Sequence, residues 1–252
     1  MIFKRPIIFL MLISGTIFSE NFPVYPVEPP VPVIVLIFDD FGYVPADNEV
    51  MQGFRNLPKS ITISIIPGLR YSTEIAREFH EAGKEVMIHM PMEAVNNHER
   101  EEFELLTSMS EDEIKTLFIR ANANIPFAAG LSNHQGSLFT ADSSAMLKLI
   151  GIMADTKLYF IDSYTTYNTV AGKLARANGL RVLKRDVFID SDLEEGETEA
   201  SRLNTLREIA EKYGFAVGIG HRYKKTLIAV EEFIKSSENE DLDFVFPSEI
   251  LK

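Results

Sequence analysis

The sequence predicts an α/β protein, an irregular barrel of seven or eight strand–helix units, with a doubly wound open sheet as the alternative. Apolar runs alternate with helical segments from Val33 onward. Continuous runs of Val, Ile and Phe are typical of parallel strands covered on both faces. Because the carboxyl ends of parallel strands meet at one rim, polar residues at those ends are expected to converge there. Five apolar runs turn polar in this way: VIVLIFDD at 33–40, EVMIHMPME at 85–93, YFIDS at 159–163, VFID at 187–190 and AVGIGH at 216–221.

Turn and capping residues divide the chain into the elements of this barrel. Gly83, Gly179 and Gly214 follow helical segments as stops, and Ser110 with Glu113 has the pattern of a capping box. The predicted strands are 33–40, 60–66, 85–90, 157–161, 180–189, 215–220 and 243–246. The predicted helices are 45–56, 71–82, 110–122, 142–154 (capped by Thr140 or Asp142), 167–178, 198–213 and 224–236. The segments 94–108 and GLSNHQGS at 130–137 are predicted to be loops.

Composition narrows the class of function. A chain of 252 residues that is 46% hydrophobic can form one α/β domain. Its formal charge is -12 and it has no long basic run, which argues against nucleic-acid binding. An acidic surface favours a neutral or cationic substrate. The absence of cysteine excludes disulfides, thiolate metal sites and a cysteine nucleophile.

The N-terminal segment has the pattern of an export signal. Lys4 and Arg5 precede an apolar stretch at 6–18 that ends at Ser19. This stretch is shorter than the span of about 20 residues that a membrane helix needs. We therefore expect a signal peptide at 1–19, a periplasmic or extracellular location and no stable membrane span after cleavage, with an uncleaved anchor as the alternative. Residues 20–32 contain five prolines and are predicted to be an extended linker to a domain at 33–252.

Asp39 and Asp40 stand side by side at the end of the first predicted strand. Neighbouring strand residues point to opposite faces, so both carboxylates reach one site only if the chain bends there. Phe41 and Gly42 follow and allow that bend. One carboxylate could then bind a divalent ion while the other acts as a base. The alternative is an exposed acidic turn or a helix N-cap.

Three histidines are candidates for chemistry at the rim. His89 ends a predicted strand, and a neutral imidazole suits zinc. His134 lies between Gly130 and Gly136, which allow close backbone approach. His221 ends AVGIGH and could act as a general acid near neutral pH. His89 could instead be a packed or surface residue, and the loop around His134 a plain turn. His80 and His98 are expected to be spectators.

The remaining polar residues of the rim are weaker candidates. They include Arg185 with Asp186, for which surface pairing is the default interpretation. The sequence contains no G-x-S-x-G elbow and no phosphate-binding glycine loop after the first strand. Further candidates are Glu93, Asn133, Asp162, Ser163 and Asp190.

Taken in order, seven segments of the chain resemble the divergent polysaccharide deacetylase family. They are LIFDDFGY, LPKSITISIIPG, AGKEVMIHMPME, GLSNHQGSLFTAD, YFIDSYTT, RDVFID and IGHRYKKT, between about residues 33 and 248. The resemblance implies a distorted barrel of the glycoside hydrolase/deacetylase type. More distantly, it implies a metal-dependent hydrolase that removes N-acetyl groups from an acetylated polysaccharide or oligosaccharide.

The resemblance also implies roles for individual residues. Asp39 corresponds to the base, Asp40 and His89 to metal ligands, and His221 to the general acid. The deacetylases place a second histidine four residues after the first, where this chain has Glu93, so we expect His134 to substitute for it. The implied metal is divalent, with zinc as the expectation.

Other roles are looser. The pair Arg185 and Asp186 is expected to hold Asp39 in place. Residues expected to contact substrate are Glu93, Asn133, Asp162 and Ser163.

Two other functions stay open on the sequence. One is a secreted carbohydrate-binding or envelope-interaction protein that keeps the barrel without turnover. The other is a glycoside hydrolase that uses two carboxylates, such as Asp39 and Asp186, without a metal. The sequence does not indicate the glycan, the native ion or the oligomeric state.

Overall fold

The computed structural model describes residues 31–96, 100–238 and 241–251. The predicted signal peptide, His98 and all of the predicted linker except residues 31–32 lie outside the described residues. The strands are β1 (Val33–Phe41), β2 (Thr62–Ile65), β3 (Glu85–Met92), β4 (Ala128–Gln135), β5 (Tyr159–Asp162), β6 (Val182–Lys184), β7 (Val187–Phe188), β8 (Phe215–His221) and β9 (Asp243–Phe244). The helices are α1 (Glu49–Asn56), α2 (Ser72–Glu81), α3 (Glu111–Asn124), α4 (Ser143–Ala154), α5 (Ala171–Ala177), α6 (Glu199–Tyr213), α7 (Lys224–Ser236) and α8 (Pro247–Ile250), with a 3-10 turn at Phe139–Ala141.

The strands form one curled, parallel sheet in the order β6-β5-β4-β3-β2-β1-β8-β7, and β9 pairs with β1. The two ends of this order, β6 and β7, are consecutive in the chain, because only Arg185 and Asp186 separate them. The Arg185 N–H donates to the Asp162 carbonyl of β5 at 3.0 Å, and the Asp186 N–H donates to the Val217 carbonyl of β8 at 2.9 Å. The predicted irregular barrel is confirmed. The predicted strand 180–189 is divided into β6 and β7, because the chain changes partner between them.

The sheet has an inner and an outer face. A cluster made only of buried strand residues, among them Val35, Ile37, Val217 and Ile219, fills the inside of the curl. The larger apolar cluster, which includes the buried faces of the helices, packs on the outside. Because side chains alternate along a strand, β1 and β8 each continue their inner set to a polar residue at the carboxyl end. This alternation decides which polar residues reach a common site.

Side-chain caps set the helix boundaries near the predicted positions. Ser110 and Glu113 form the predicted capping box of α3, and Asp142 accepts the Ala145 N–H at the start of α4. The first helix begins at Glu49 rather than at residue 45, because Asn48 accepts the Val50 N–H as its N-cap. No helix among the described residues is long and apolar enough to cross a membrane.

Candidate metal centre and active site

Asp40, His89 and His134 converge at the carboxyl rim of the sheet. Asp40 Oδ1 is 3.0 Å from His134 Nδ1 and 3.4 Å from His89 Nε2. The two ring nitrogens are themselves 3.1 Å apart. The three side chains, from β1, β3 and β4, thus present one oxygen and two nitrogens to a common point.

The backbone of Asp40 explains how two successive acids reach one site. Asp40 has a φ of 66°, which is left-handed and interrupts the alternation of side chains along β1. Gly42 follows with a φ of 116°, and a Cβ there would lie 2.8 Å from Ser72 Oγ. A glycine is therefore required at this turn, and the expected bend after Asp39 is present from Asp40 onward.

Arg222, the residue after β8, restrains the left-handed Asp40 from the neighbouring strand. Its Nε donates to the Asp40 carbonyl at 2.7 Å. Its guanidinium lies 4.9 Å from the centroid of the Tyr43 ring. The Tyr43 ring thus supports the guanidinium of Arg222, which in turn restrains the peptide group of Asp40.

His89 is oriented by buried hydroxyl groups. Its side chain is nearly inaccessible to solvent, and its Nδ1 lies 2.7 Å from Ser132 Oγ. Ser132 Oγ in turn lies 2.9 Å from Ser64 Oγ, and both serines are fully buried. With Nδ1 bonded in this way, Nε2 is the nitrogen that faces Asp40 and His134.

His134 is the penultimate residue of β4, not part of a loop as predicted from its flanking glycines. The turn begins after it, at Gln135 and Gly136, which have φ values of 54° and 82°. His134 Nε2 lies 3.1 Å from Glu101 Oε1, which leaves Nδ1 for the cluster. Glu101 lies in the predicted polar loop, and sequence reasoning missed it because nothing in that acidic segment singles it out.

The charges of the cluster support one another. Burial alone acts to raise the pKa of Asp40, but the adjacent imidazoles of His134 and His89 hold that pKa well below its usual range. Burial likewise opposes protonation of His134, yet the carboxylates of Asp40 and Glu101 raise its pKa to about 10. The pocket between these residues therefore favours a positive charge, which a proton or a metal ion can supply.

The residues present suit a divalent metal. Ligands of a tetrahedral zinc ion lie about 3.3 Å from one another, since each is about 2.0–2.1 Å from the metal. The three donor atoms are separated by 3.0, 3.4 and 3.1 Å. Asp40 Oδ1 is buried, and among the described residues its near polar neighbours are the two imidazole nitrogens, neither of which forms a well-aligned hydrogen bond with it. Imidazole and carboxylate without thiolate suit zinc and neighbouring transition metals.

Asp39 lies beside the cluster on the inner face of the sheet. It is only 2% exposed, and its Oδ1 has no hydrogen-bond partner among the described residues. His89 Nδ1 is 3.5 Å from that oxygen, beyond ordinary hydrogen-bond length. Burial raises the pKa of Asp39. A carboxyl group that is buried and underbonded can accept a proton.

His221 is oriented by the carboxylate of Asp190. Its Nδ1 and its backbone N–H each lie 2.7 Å from an oxygen of Asp190. Thr226 Oγ1 also donates to Asp190, at 2.5 Å. Burial opposes the charge on His221, but Asp190 outweighs it and raises the pKa of His221. Asp190, one of the weaker candidates in the sequence, is therefore the residue that orients His221.

The same arrangement of segments is found in known proteins. A profile of the divergent polysaccharide deacetylase family matches residues 36–251. The chain belongs to this family. The uncharacterized protein YibQ of Escherichia coli K12 is 32% identical over 202 residues, which cover 80% of this chain and 62% of YibQ. The chain therefore spans about three fifths of the length of that family relative.

Solved structures share the fold of this family member. An uncharacterized protein of Agrobacterium tumefaciens C58 matches with a TM-score of 0.81 and 18% identity, covering 88% of this chain and 90% of the other. The catalytic domain of a peptidoglycan N-acetylglucosamine deacetylase from Eubacterium rectale matches with a TM-score of 0.52 and 17% identity, covering 87% and 90%. At these identities the likeness is one of fold.

Arg185 does not make the contact expected of it in the deacetylase-like site. Its Nε donates to the Ser163 carbonyl at 2.8 Å, and an Nη donates to the Tyr164 carbonyl at 3.0 Å. The guanidinium also lies 3.6 Å from the centroid of the Phe188 ring. Arg185 therefore fastens the loop after β5 to the seam of the barrel instead of holding Asp39.

Asp186 also differs from its expected place. Its Oδ2 accepts the Val217 N–H at 2.9 Å. Val217 lies four residues before His221 in β8, which corresponds to about 13 Å along a strand. Paired glycosidase carboxylates are about 5–9.5 Å apart. Because Asp39 is level with His221 in the β1–β8 register, a glycosidase pair of Asp39 and Asp186 is disfavoured.

Two of the predicted substrate contacts instead hold the rim together. Asn133 Oδ1 accepts the Ser163 N–H at 2.9 Å, and its Nδ2 donates to the Gln135 carbonyl at 2.7 Å. Both oxygens of Asp162 accept hydrogen bonds, including one from the Gly172 N–H at 3.3 Å. The side chains of Asn133 and Asp162 lie on the outer face of β4 and β5, so they point away from the candidate metal ligands.

The other two predicted substrate residues differ in how they are bonded. Glu93 Oε2 accepts the N–H of Thr107 at 2.7 Å and its hydroxyl at 2.6 Å, which fastens the loop before α3 to the end of β3. Ser163 is buried, and its Oγ has no hydrogen-bond partner among the described residues. Glu93 therefore serves the structure, whereas the hydroxyl of Ser163 bonds to no other residue that the structure describes.

Proposed function

We propose that the protein is a metal-dependent deacetylase that removes N-acetyl groups from a cell-envelope or extracellular glycan. The observation that carries this proposal is the convergence of three donor atoms, from Asp40, His89 and His134, beside Asp39. His221 lies opposite Asp39 in the register of β1 and β8. A single metal site with a base and an acid beside it has the groups that amide hydrolysis requires.

Asp40, His89 and His134 would hold the metal, with zinc as the preferred ion. A bound metal lowers the pKa of water to about 7 and stabilises negative charge on a carbonyl oxygen. Ser132 and Glu101 would keep the two imidazoles in the orientation that directs Nε2 of His89 and Nδ1 of His134 at the ion. With three protein donors, the site would have room for water and substrate at the ion.

Asp39 would accept the proton of the attacking water. Burial raises the pKa of Asp39, and a base with a pKa closer to the working pH is more effective. Because one of its oxygens lacks a hydrogen-bond partner among the described residues, that oxygen would be available as a proton acceptor.

His221 would protonate the leaving amine of the sugar. Asp190 binds Nδ1 of the ring, so Nε2 is the atom free to donate a proton. Because Asp190 raises the pKa of His221, more of the ring carries that proton at neutral pH.

The proposed substrate and location follow from the family and the N-terminal sequence. The family profile names polysaccharide deacetylases, so an acetylated polysaccharide or oligosaccharide is the proposed partner. The predicted signal at 1–19 supports export to the periplasm or the outside of the cell, where such glycans lie.

Acetate release tests the proposed function. The zinc-loaded protein should release acetate from N-acetylated oligosaccharides, and a chelator or Asp39→Asn should abolish the release. Asp155→Asn is the matched control, because Asp155 is an exposed acid at the end of α4. No acetate from chitin-like or peptidoglycan oligomers, together with retained glycan binding, would instead support the carbohydrate-binding function without turnover.

A further inference from the structure

A cavity of about 460 Å³ lies outside the proposed metal site, between α5 and the carboxyl ends of β5 and β6. Lys173 and Arg176 face it from α5, and Lys184 faces it from the end of β6. Lys173 and Arg176 are three residues apart on the helix and so share one face. The cavity is therefore lined by positive charge from two elements.

None of these three cations forms an ion pair with another of the residues that the structure describes. Asp162 lines the same cavity, but its oxygens accept hydrogen bonds from Tyr164 N–H at 2.9 Å and Thr169 Oγ1 at 3.0 Å. The lining thus carries three cations against the one carboxylate of Asp162, in a chain whose formal charge is -12. Unpaired cations that converge on a concave surface are suited to an anionic ligand.

Aromatic rings stand beside these cations. The ammonium of Lys184 lies 4.4 Å from the centroid of the Tyr164 ring. Tyr167 is 92% exposed, and its ring centroid is 6.0 Å from that of Tyr164. A flat aromatic surface next to positive charge suits the apolar face of a sugar ring that carries an acidic group. A free inorganic anion would make no favourable contact with the aromatic rings.

The cavity is close to the proposed metal centre along the rim. β6 is two strands from β4, the strand of His134, which is about 10 Å at the usual strand spacing. The loop between β5 and α5 links the two places, because Thr165 Oγ1 donates to the Gln135 carbonyl at 2.8 Å. Asp162 and Lys184 of the cavity continue the outer sets of β5 and β6, whereas His134 continues the inner set of β4. A glycan that reaches both places would therefore pass over this loop at the rim.

We propose that this cavity binds the carboxylate or phosphate group of an anionic glycan, so that the substrate is an N-acetylated glycan bearing acidic groups. This inference rests on the proposed deacetylase function for the acetylated part of the ligand. The overall negative charge of the chain favours a neutral or cationic substrate, but the cations of this cavity favour an anionic group there.

Two probes of equal length test the proposal. Hyaluronan tetrasaccharide carries both acetamide and carboxylate groups, and chitotetraose carries acetamide groups alone. Calorimetric titration of the full chain should give a dissociation constant about tenfold lower for the hyaluronan probe, equivalent to about 1.4 kcal/mol. The doubly substituted variant Lys173→Glu with Arg176→Glu should abolish that difference, and the control Lys115→Glu, an exposed lysine of α3, should keep it.

Several outcomes would overturn the proposal. Equal affinity for the two probes, or a preference that survives the double substitution, removes the anion site. If inorganic phosphate binds as tightly as the hyaluronan probe, the cavity is a site for a free anion and not for a glycan. If the double charge reversal unfolds the protein, Lys173→Gln with Arg176→Gln should still weaken the preference, and an undiminished preference in that variant counts against the site.

The titrations and the acetate assay give independent answers about the cavity and about the proposed function. We would repeat the titrations on His134→Ala, which lacks a proposed metal ligand but keeps the cavity. Acetate release by the parent protein without a preference for the anionic probe contradicts the cavity alone. A preference without any acetate release contradicts the deacetylase alone.

Discussion

Asp39 and His221 are direct partners in the parallel register of β1 and β8, so a carboxyl group and an imidazole lie level on the inner face of the sheet. Each has a raised pKa, but for different reasons. Burial raises the pKa of Asp39, whereas the carboxylate of Asp190 raises that of His221 against the effect of burial. The two groups can therefore serve as the base and the acid of one reaction.

Replacing His134 should remove the metal. His134→Ala deletes one of three donor atoms, so the protein should bind less than one tenth of the zinc that the parent binds under equal conditions, while circular dichroism stays unchanged. The control is His80→Ala, since His80 lies in α2, outside the proposed metal site, and stacks on the ring of Phe127. Metal analysis after dialysis measures the stoichiometry, and an unchanged value in His134→Ala would sink the ligand assignment.

Glu101 should act on metal affinity through His134. Glu101→Gln keeps the side-chain size but removes the carboxylate 3.1 Å from His134 Nε2. Affinity for zinc should fall about 10–100-fold, the usual cost of losing such a partner. Competition with a chromophoric chelator measures it. The neighbouring Glu102→Gln is the matched control, because Glu102 pairs with the exposed Arg120 instead. Equal affinities in the two variants would contradict the role of Glu101.

Asp190 should set the alkaline limit of activity. The general acid works while protonated, and Asp190 raises the pKa of His221. Asp190→Asn should therefore lower that pKa and move the alkaline limb of the kcat/KM profile toward lower pH. Acetate release measured across pH gives the profile. Glu195→Gln, an exposed acid in the same loop, should leave the limb in place. A shift toward higher pH contradicts the assignment of His221 as the acid.

Arg222 should be needed for the geometry of Asp40. Arg222→Ala removes the donor to the Asp40 carbonyl, and the left-handed residue loses its restraint. We expect zinc affinity to fall about tenfold, the equivalent of about 1.4 kcal/mol. Lys224→Ala is the control, since Lys224 pairs only with the exposed Glu49 among the described residues. If both variants bind zinc like the parent, Arg222 does not position Asp40.

Much of the fold could be predicted from local patterns, because strands and helices are marked by apolar runs and by caps. The capping box of α3 and the helix at Lys224–Ser236 lie where the sequence predicts them. The strand containing His134 was missed because AAGLSNHQ has no β-branched residue, yet all of its residues except Ala129 pair with β3. Tertiary pairing outweighed local propensity there.

The site was predicted less completely than the fold. Continuous apolar runs give no sign of which residues face inward, so Asp162 could not be separated from Asp39 by the sequence. The partners of the histidines were hidden for another reason. Glu101 and Asp190 are ordinary acids in the sequence, and only the fold brings them to His134 and His221.

The contact between Arg222 and Asp40 joins residues that are 182 positions apart in the chain. During synthesis, β1 emerges first and must wait for β8 before this contact can form. The donors from β1, β3 and β4 can gather earlier, but the base then lacks its acid and Asp40 lacks its restraint. The base and the acid of the proposed reaction therefore come together only when β8 is in place, although all three proposed metal ligands are made earlier.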